Sequence, residues 1–442
     1  MHDRSSKTAL VLGAIGVLIA ALCAWVGWGG GETVWLWSVA MNDAGRTTWP
    51  ASHARAGARG AGGPEAEAPA VEIPFDLVKR LVILQATVNG SRPLSFILDT
   101  GDRFALIDSG RARKLGLHMA GRIDVGGAGP GMSTGAFVKD AAFSLPSFPG
   151  FSQPVTLAVS TQALASKIGH DIDGVVGTNF IRQFVLELDY PARVITLHDK
   201  DRFSYSGPGE SVAMTLNAEG HPVIDVEIQL PGGAPIPGRA ALDIGANDSL
   251  VLSSPFVTEH ALPAPGMKTI RGIGHGGIGG TSAGRIGRLA GLKIGRYTLR
   301  DPVAMFSEDQ AGAHADPTLQ CSIGQHLLGR FRLFFDYSHD RVIFEPAATF
   351  ADPFDGVGSG LSVRAEGDGY KTFRVAEVLE NSPASESGLQ ENDVFTRIDD
   401  RDAADMTLSD LMETLERPVT CKVTIRRGEQ TLSVSLTPRP LV

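Results

Sequence analysis

The chain has 442 residues, of which 43% are hydrophobic and 20% charged, with 53 glycines, 26 prolines and a formal net charge of −9. That length leaves room for two to four domains, and so many glycines and prolines point to short strands joined by turns. A mildly acidic chain with no long basic run excludes nucleic acid as an expected partner. Three cysteines make no disulfide framework, so the folded part must stand on its hydrophobic core.

From Thr8 to Gly31 no residue is charged. At ~1.5 Å per helical residue the stretch reaches roughly 36 Å, enough to cross a hydrocarbon core ~30 Å thick. Arg4 and Lys7 precede it while Glu32 and Asp43 follow, so the positive-inside rule leaves the N-terminus in the cytoplasm. All five tryptophans, at 25, 28, 35, 37 and 49, lie in or just after the stretch, where an aromatic belt at the outer interface would put them. A cleaved signal peptide is the alternative. Against it stand the length of the apolar region, the lack of an Ala-x-Ala site in a polar context directly after it, and Leu22, too large for a lipoprotein cleavage site before Cys23. Residues 1–31 are therefore expected to anchor the chain in an inner membrane, with everything after them extracytoplasmic (periplasmic). Residues 32–70, Ala/Gly/Pro-rich in their second half, read as a flexible linker.

From Val71 onward, strand-like runs alternate with Gly/Pro/Asn punctuation, and the runs repeat. "LQATVNGSRPLSFILDTGDRFALID" is answered by "IDVEIQLPGGAPIPGRAALDIGANDSLVL". The glycine-rich "VGGAGPGMSTG" is answered by "RGIGHGGIGGTSAG". Finally "DGVVGTNFIRQFVLELDYPARVITLHD" is answered by "CSIGQHLLGRFRLFFDYSHDRVIFEP". The step from Asp99 to Gly177 and that from Asp243 to Gly324 agree to within a few residues. Two lobes of one fold are expected, at 71–205 and 206–350.

An Asp-Thr-Gly alone is weak evidence, because Asp and Gly also shape turns. A second apolar-Asp-x-Gly at the matching point of a repeat is harder to explain that way. A pseudo-dyad would bring Asp99 and Asp243 together at its axis. Two close carboxyls cannot both ionise cheaply, so one keeps its proton and the pair holds a general acid beside a general base. The turn residues would be Thr100 and Gly101 in the first lobe and Ile244 and Gly245 in the second. The glycine-rich loops, with Gly126 and Gly127 in one and Gly277, Ile278 and Gly279 in the other, fit flaps that close over an extended substrate.

"FILDTG", "ALDIGAN", Gly277-Ile278-Gly279-Gly280 and the "GVVG"/"CSIG" pair together resemble the retropepsin-like aspartic proteases in a fused two-lobe form. The resemblance implies a mainly β, two-lobed aspartic protease β-barrel fold, with Asp99 and Asp243 as catalytic dyad and protein or peptide substrates in the cleft. Two positions depart from the family. Ile244 lacks the hydroxyl that the family uses to brace the dyad from each side. Asp102 stands where Ala is common, and either raises a dyad pKa or pairs with Arg103 and points away. His275 and His326 have no His or Cys partner at ligand spacing, so no metal or other cofactor is expected.

After a Gly/Pro/Asp break the pattern changes again. "VAEVLENSPASESGLQENDVFTRIDD" gives strand, short helical turn and strand. Leu408, Leu411, Met412 and Leu415 then recur at i, i+3, i+4 and i+7 of an amphipathic helix, with Thr407 and Asp410 as its cap. A hairpin, "CKVTIRRGEQTLSVSLTP", closes this small α+β module at 355–440. It resembles PDZ domains of the envelope-protease type, with Asn392 at a turn where glycine is usual; Asn tolerates left-handed φ. The resemblance implies that peptide C-termini or extended segments bind along Gly360, Leu361 and Ser362, facing Leu408 and Met412. The plainer possibility is that this helix face is simply core. Together these readings predict a membrane-anchored aspartic endopeptidase with a substrate-positioning PDZ domain, or alternatively a catalytically weak or inactive peptide-binding scaffold on the same fold. Pairing of Asp99 between two chains is a third, less economical possibility.

Overall fold

In the computed structural model, residues 46–47, 70–272, 276–354 and 357–442 are described. The expected anchor at 8–31, most of the linker and His275 lie outside the described residues. Among the described residues no helix is long and apolar enough to cross a membrane.

The apolar run Leu81–Val88 is a strand buried along most of its length, and it pairs antiparallel with the fully buried Leu94–Leu98. Asn89 (φ 47°) and Gly90 (φ 76°) supply the left-handed positions of the turn between them. Next to Leu94–Leu98 lies Gly174–Val176, parallel, then Leu106–Asp108, antiparallel to it. Leu157–Val159 follows parallel, then Ser133–Lys139 and His118–Val125, both antiparallel. The second repeat reproduces this order and these senses. Pro235–Leu242 lies parallel to Cys321–Ile323, which is antiparallel to Leu250–Leu252. Val303–Ser307 is parallel to the latter, and Gly284–Arg288 and Ile270–Arg271 complete the series antiparallel. The fold is mainly β, and the sequence repeat is a repeat of topology.

The two halves do not stop at a seam. Six strands, Glu210–Leu216, Arg341–Pro346, Phe331–Asp336, Val185–Asp189, Val194–His198 and Ala70–Pro74, form one continuous antiparallel stretch of sheet. Its central pair consists of repeat-equivalent strands, "VLELD" and "FRLFFD", with Leu186 opposite Phe335 and Leu188 opposite Leu333. The pseudo-dyad passes between them. One hydrophobic cluster runs from Val71 through Leu186, Ile244 and Phe335 to Phe354, so both halves share a core.

The C-terminal module has its own core, built on strands Leu361–Glu366, Thr372–Val378, Val394–Ile398, Cys421–Arg427 and Gln430–Leu436. Its helix Leu408–Glu416 starts with the expected Thr407/Asp410 capping box and buries Leu408, Leu411 and Leu415. Asn392 has φ 71°, the left-handed value that the turn demands.

Candidate active site

Each apolar strand delivers its aspartate into the same local frame. The Asp99 amide donates to Val176 O at 3.0 Å and the Asp243 amide to Ile323 O at 2.9 Å, so each turn is pinned by the "GVVG" or "CSIG" strand of its own half. The Gly101 amide donates to Asp99 Oδ1 at 2.6 Å, and the Gly245 amide to Asp243 Oδ1 at 2.9 Å. A β-carbon on Gly101 would lie 2.9 Å from the Asp243 carboxyl carbon, and one on Gly245 only 2.1 Å from that of Asp99. Each carboxyl thus rests on the bare backbone of the opposite loop, which only glycine permits. Asp99 and Asp243 are half-buried and hydrogen-bonded to each other.

Thr100 is fully buried, and its hydroxyl spans the dyad. Oγ1 donates to Leu242 O at 2.6 Å and accepts from the Ile244 amide at 2.9 Å. Ile244 is equally buried and cannot reciprocate. A different brace holds its loop. Gln325 Nε2 donates to Ile244 O at 2.7 Å, and the Tyr190 hydroxyl, from the first half, donates to Gln325 Oε1. Both residues are buried. The sequence reading missed this pair. Its only signal was an amide directly after "CSIG", where an apolar residue would suit a buried helix start.

Burial is the largest influence raising Asp99 well above the usual carboxylate range, followed by the negative charges of Asp243 and Asp102; the Gly101 amide pulls the other way. Burial also raises Asp243, opposed by the Gly245 amide, by the hydrogen bond from Asp99 and by the electrostatic influence of His221 and His314. The pair therefore shares one proton, and the neighbouring charge of Asp102 favours its lying on the Asp99 side. Asp102 is itself pushed up to about 6, chiefly by burial, against hydrogen bonds from the Phe104 and Arg103 amides. Of the two expectations for Asp102, the first holds: it adds charge to the dyad. Arg103 lies over the Phe104 ring, 5.4 Å from its centroid. His221 and His314, at the second half's side of the dyad, were not singled out from the sequence because no motif marks them. His326 packs on Phe354, and burial with Arg80 and Arg330 lowers it to about 3.

Both glycine-rich loops are hairpin tips. Residues 126–132 join His118–Val125 to Ser133–Lys139, and Gly276–Gly277 pairs with Gly280–Thr281 in the other half. The tips meet. The Gly131 amide donates to Gly279 O at 2.8 Å, the Gly129 amide to Ile278 O at 3.3 Å, and Ser282 Oγ to Ala128 O at 3.2 Å. A β-carbon on Gly127 would come within 2.3 Å of Ile278 O, so side chains there would hold the tips apart. Gly126 lies beside Met132, and Ile278 leans on the cluster that contains Ile97 and Val175.

In the C-terminal module Gly360 (φ 77°) is pressed against Ser382, where a β-carbon would lie 2.2 Å from Ser382 Cβ. Leu361 is buried, Ser362 and Met412 are half-buried, and Leu408 is buried. Met412 packs against the module's core. Leu408 also lies against Gly169 of the first half of the chain.

Residues 84–180 match the family model described as "Aspartyl protease", and residues 352–426 match that of the "PDZ domain". No curated protein matches the chain. Among solved structures, basic 7S globulin from soybean is similar at 12% identity and a TM-score of 0.38, over 63% of this chain and 95% of that one. The HtrA3 PDZ domain bound to a phage-derived ligand (FGRWV) is similar at 23% identity and a TM-score of 0.18, over 19% of this chain and 85% of that one. The chain thus carries an aspartyl protease domain, its matched residues spanning Asp99, and a C-terminal PDZ domain.

Proposed function

We propose that the protein is an aspartic endopeptidase in which Asp99 and Asp243 form the catalytic dyad. The observation that carries this reading is the mutual hydrogen bond of two raised carboxyls at the axis of a repeated fold. A water between the carboxyls gives a proton to ionised Asp243 as its oxygen attacks the scissile carbonyl carbon. Asp99 gives its proton to the carbonyl oxygen, producing a neutral gem-diol. Asp243 then protonates the departing amine while Asp99 recovers a proton from a diol hydroxyl, and the C–N bond breaks. The two flap tips cover the extended substrate and keep other water out.

The PDZ domain binds substrate C-termini or extended segments and presents them to the cleft. The uncharged stretch from Thr8 to Gly31 anchors the chain in an inner membrane, with both domains on the periplasmic side. Extraction of the membrane fraction with carbonate tests the anchor: release of the full-length chain would refute it.

The purified chain should cleave an unfolded protein, and Asp99→Asn and Asp243→Asn should each abolish cleavage. Equal turnover by wild type and both variants would refute the dyad. A second reading, a peptide-binding scaffold without turnover, is favoured by Ile244 alone. It predicts saturable peptide binding with no cleavage product from acid to neutral pH.

A further inference from the structure

The strand Leu361–Glu366 is the outer strand of the PDZ sheet, paired on one side with Thr372–Val378. An extended peptide adds along the other side, between this strand and the helix Leu408–Glu416. That side is not vacant. Helix Gln162–Ile168 of the protease half lies against it, and Ser166 Oγ donates to Ala365 O at 2.7 Å. In an antiparallel strand the backbone groups of alternate residues face the same edge, so Ala365 and Val363 present the groups an added strand would use. The helix ends at Gly169, left-handed at φ 75°. A β-carbon there would lie 2.6 Å from Leu408 Cβ and 3.4 Å from Ala365 Cβ. Gly169 therefore sits between the strand and the helix, inside the groove. Tyr370, hydrogen-bonded to Asp171, packs on the cores of both domains and closes the contact from the side.

We propose that helix Gln162–Ile168 with Gly169 is the resident occupant of the PDZ groove, and that an extended peptide must displace it to bind. The contact lies at the Ala365 end, whereas a terminal carboxylate would seat at Gly360–Ser362. At ~3.3 Å per residue, a ligand longer than about four residues runs from that loop into the helix. The displaced helix is tied to the second flap, because Lys167 Nζ reaches Gly276 O at 3.4 Å, and Arg271 of that flap's stem pairs with Glu377 of the PDZ domain at 2.7 Å. Peptide entry thus loosens the flap. The proposal rests on the peptide-binding reading of the PDZ domain and is independent of catalysis by the dyad.

The test uses the full chain. A library of random heptapeptides displayed with free C-termini is selected on Ser166→Arg, whose long cation forces the helix off Ala365. Enriched peptides are then titrated against wild type, Ser166→Arg and Ser166→Ala by fluorescence anisotropy. Wild type should bind at least roughly tenfold more weakly than Ser166→Arg. Ser166→Ala, lacking one hydrogen bond, should gain roughly fivefold over wild type. Should Ser166→Arg not fold, Ser166→Ala serves as the selection target and the roughly fivefold gain is the criterion. Saturating peptide should also raise amide hydrogen exchange of wild type at 162–169. Enriched peptides that bind all three chains equally, or that leave this exchange unchanged, would overturn the competition while sparing the peptide-binding reading. Failure to enrich any peptide would overturn both.

Discussion

Thr100 Oγ1 accepts the amide of Ile244 at 2.9 Å across 144 residues of sequence, and Ile244, lacking a hydroxyl, has nothing to return. One side chain therefore carries the hydroxyl brace of the dyad alone. Thr100→Val keeps the shape but leaves Leu242 O and the Ile244 amide unpaired in a buried site. Each such orphan costs ~1–3 kcal/mol, so a loss of roughly 2–5 kcal/mol is expected in urea denaturation. Turnover should fall at least tenfold, since small displacements of a catalytic group are costly. Thr100→Ser keeps the hydroxyl and should recover most of both. A Val variant as stable and active as the Ser variant would remove Thr100 from the brace.

The missing half of the brace is replaced by a longer one. Gln325 holds the Ile244 carbonyl and is itself oriented by Tyr190 from the opposite half. Gln325→Leu should cost roughly 2–4 kcal/mol, because it orphans Ile244 O and the Tyr190 hydroxyl together. Tyr190→Phe should cost about 1 kcal/mol. Since the two act as one chain, the double variant should cost less than the sum by roughly 1 kcal/mol. Strict additivity in a double-mutant cycle would show that they act separately.

Much of this was legible in the sequence, for a definite reason. The pairing of Asp99 with Asp243 follows from a repeat, and a repeat is visible as order and spacing without any coordinates. The same holds for the PDZ helix, where Thr407, Asp410 and the Leu408 series are local signals. What stayed hidden is whatever depends on contact between distant segments. Tyr190 and Gln325 follow two matched motifs, yet nothing in either motif says that one meets the other. The strands "VLELD" and "FRLFFD" were recognised as equivalents, but not as neighbours paired across the axis. Leu408 was read as a groove residue, and no pattern on its own helix could show that Gly169 lies against it.

Asp102 bears on the pH range of activity. Its negative charge helps to raise Asp99, so removing it lets the dyad lose its proton at lower pH. Asp102→Asn should therefore shift the alkaline limb of the kcat/KM profile toward acid. Below about 6, where Asp102 is itself protonated, the variant and wild type should converge. The acid limb, set by ionisation of Asp243, should move little. A shift of the alkaline limb toward higher pH would mean that Asp102 does not act through its charge.

The dyad should also weaken the fold that carries it. Asp99, Asp102 and Asp243 all have folded-state pKa values raised above 3.8. Between 3.8 and those raised values the folded chain binds more protons than the unfolded one, so stability falls as pH rises through that window and the deficit is complete above it. Asp243→Asn removes the charge that the site must hold at neutral pH, and Asp99→Asn keeps a hydrogen-bond donor facing Asp243. Each should raise stability at pH 7 by about 1–3 kcal/mol while abolishing turnover. At pH 3, where the native carboxyls are protonated in both states, the gain should vanish. Thermal melts of both variants at the two pH values check this. A variant less stable than wild type at pH 7 would mean that the two carboxyls hold the lobes together more than they repel.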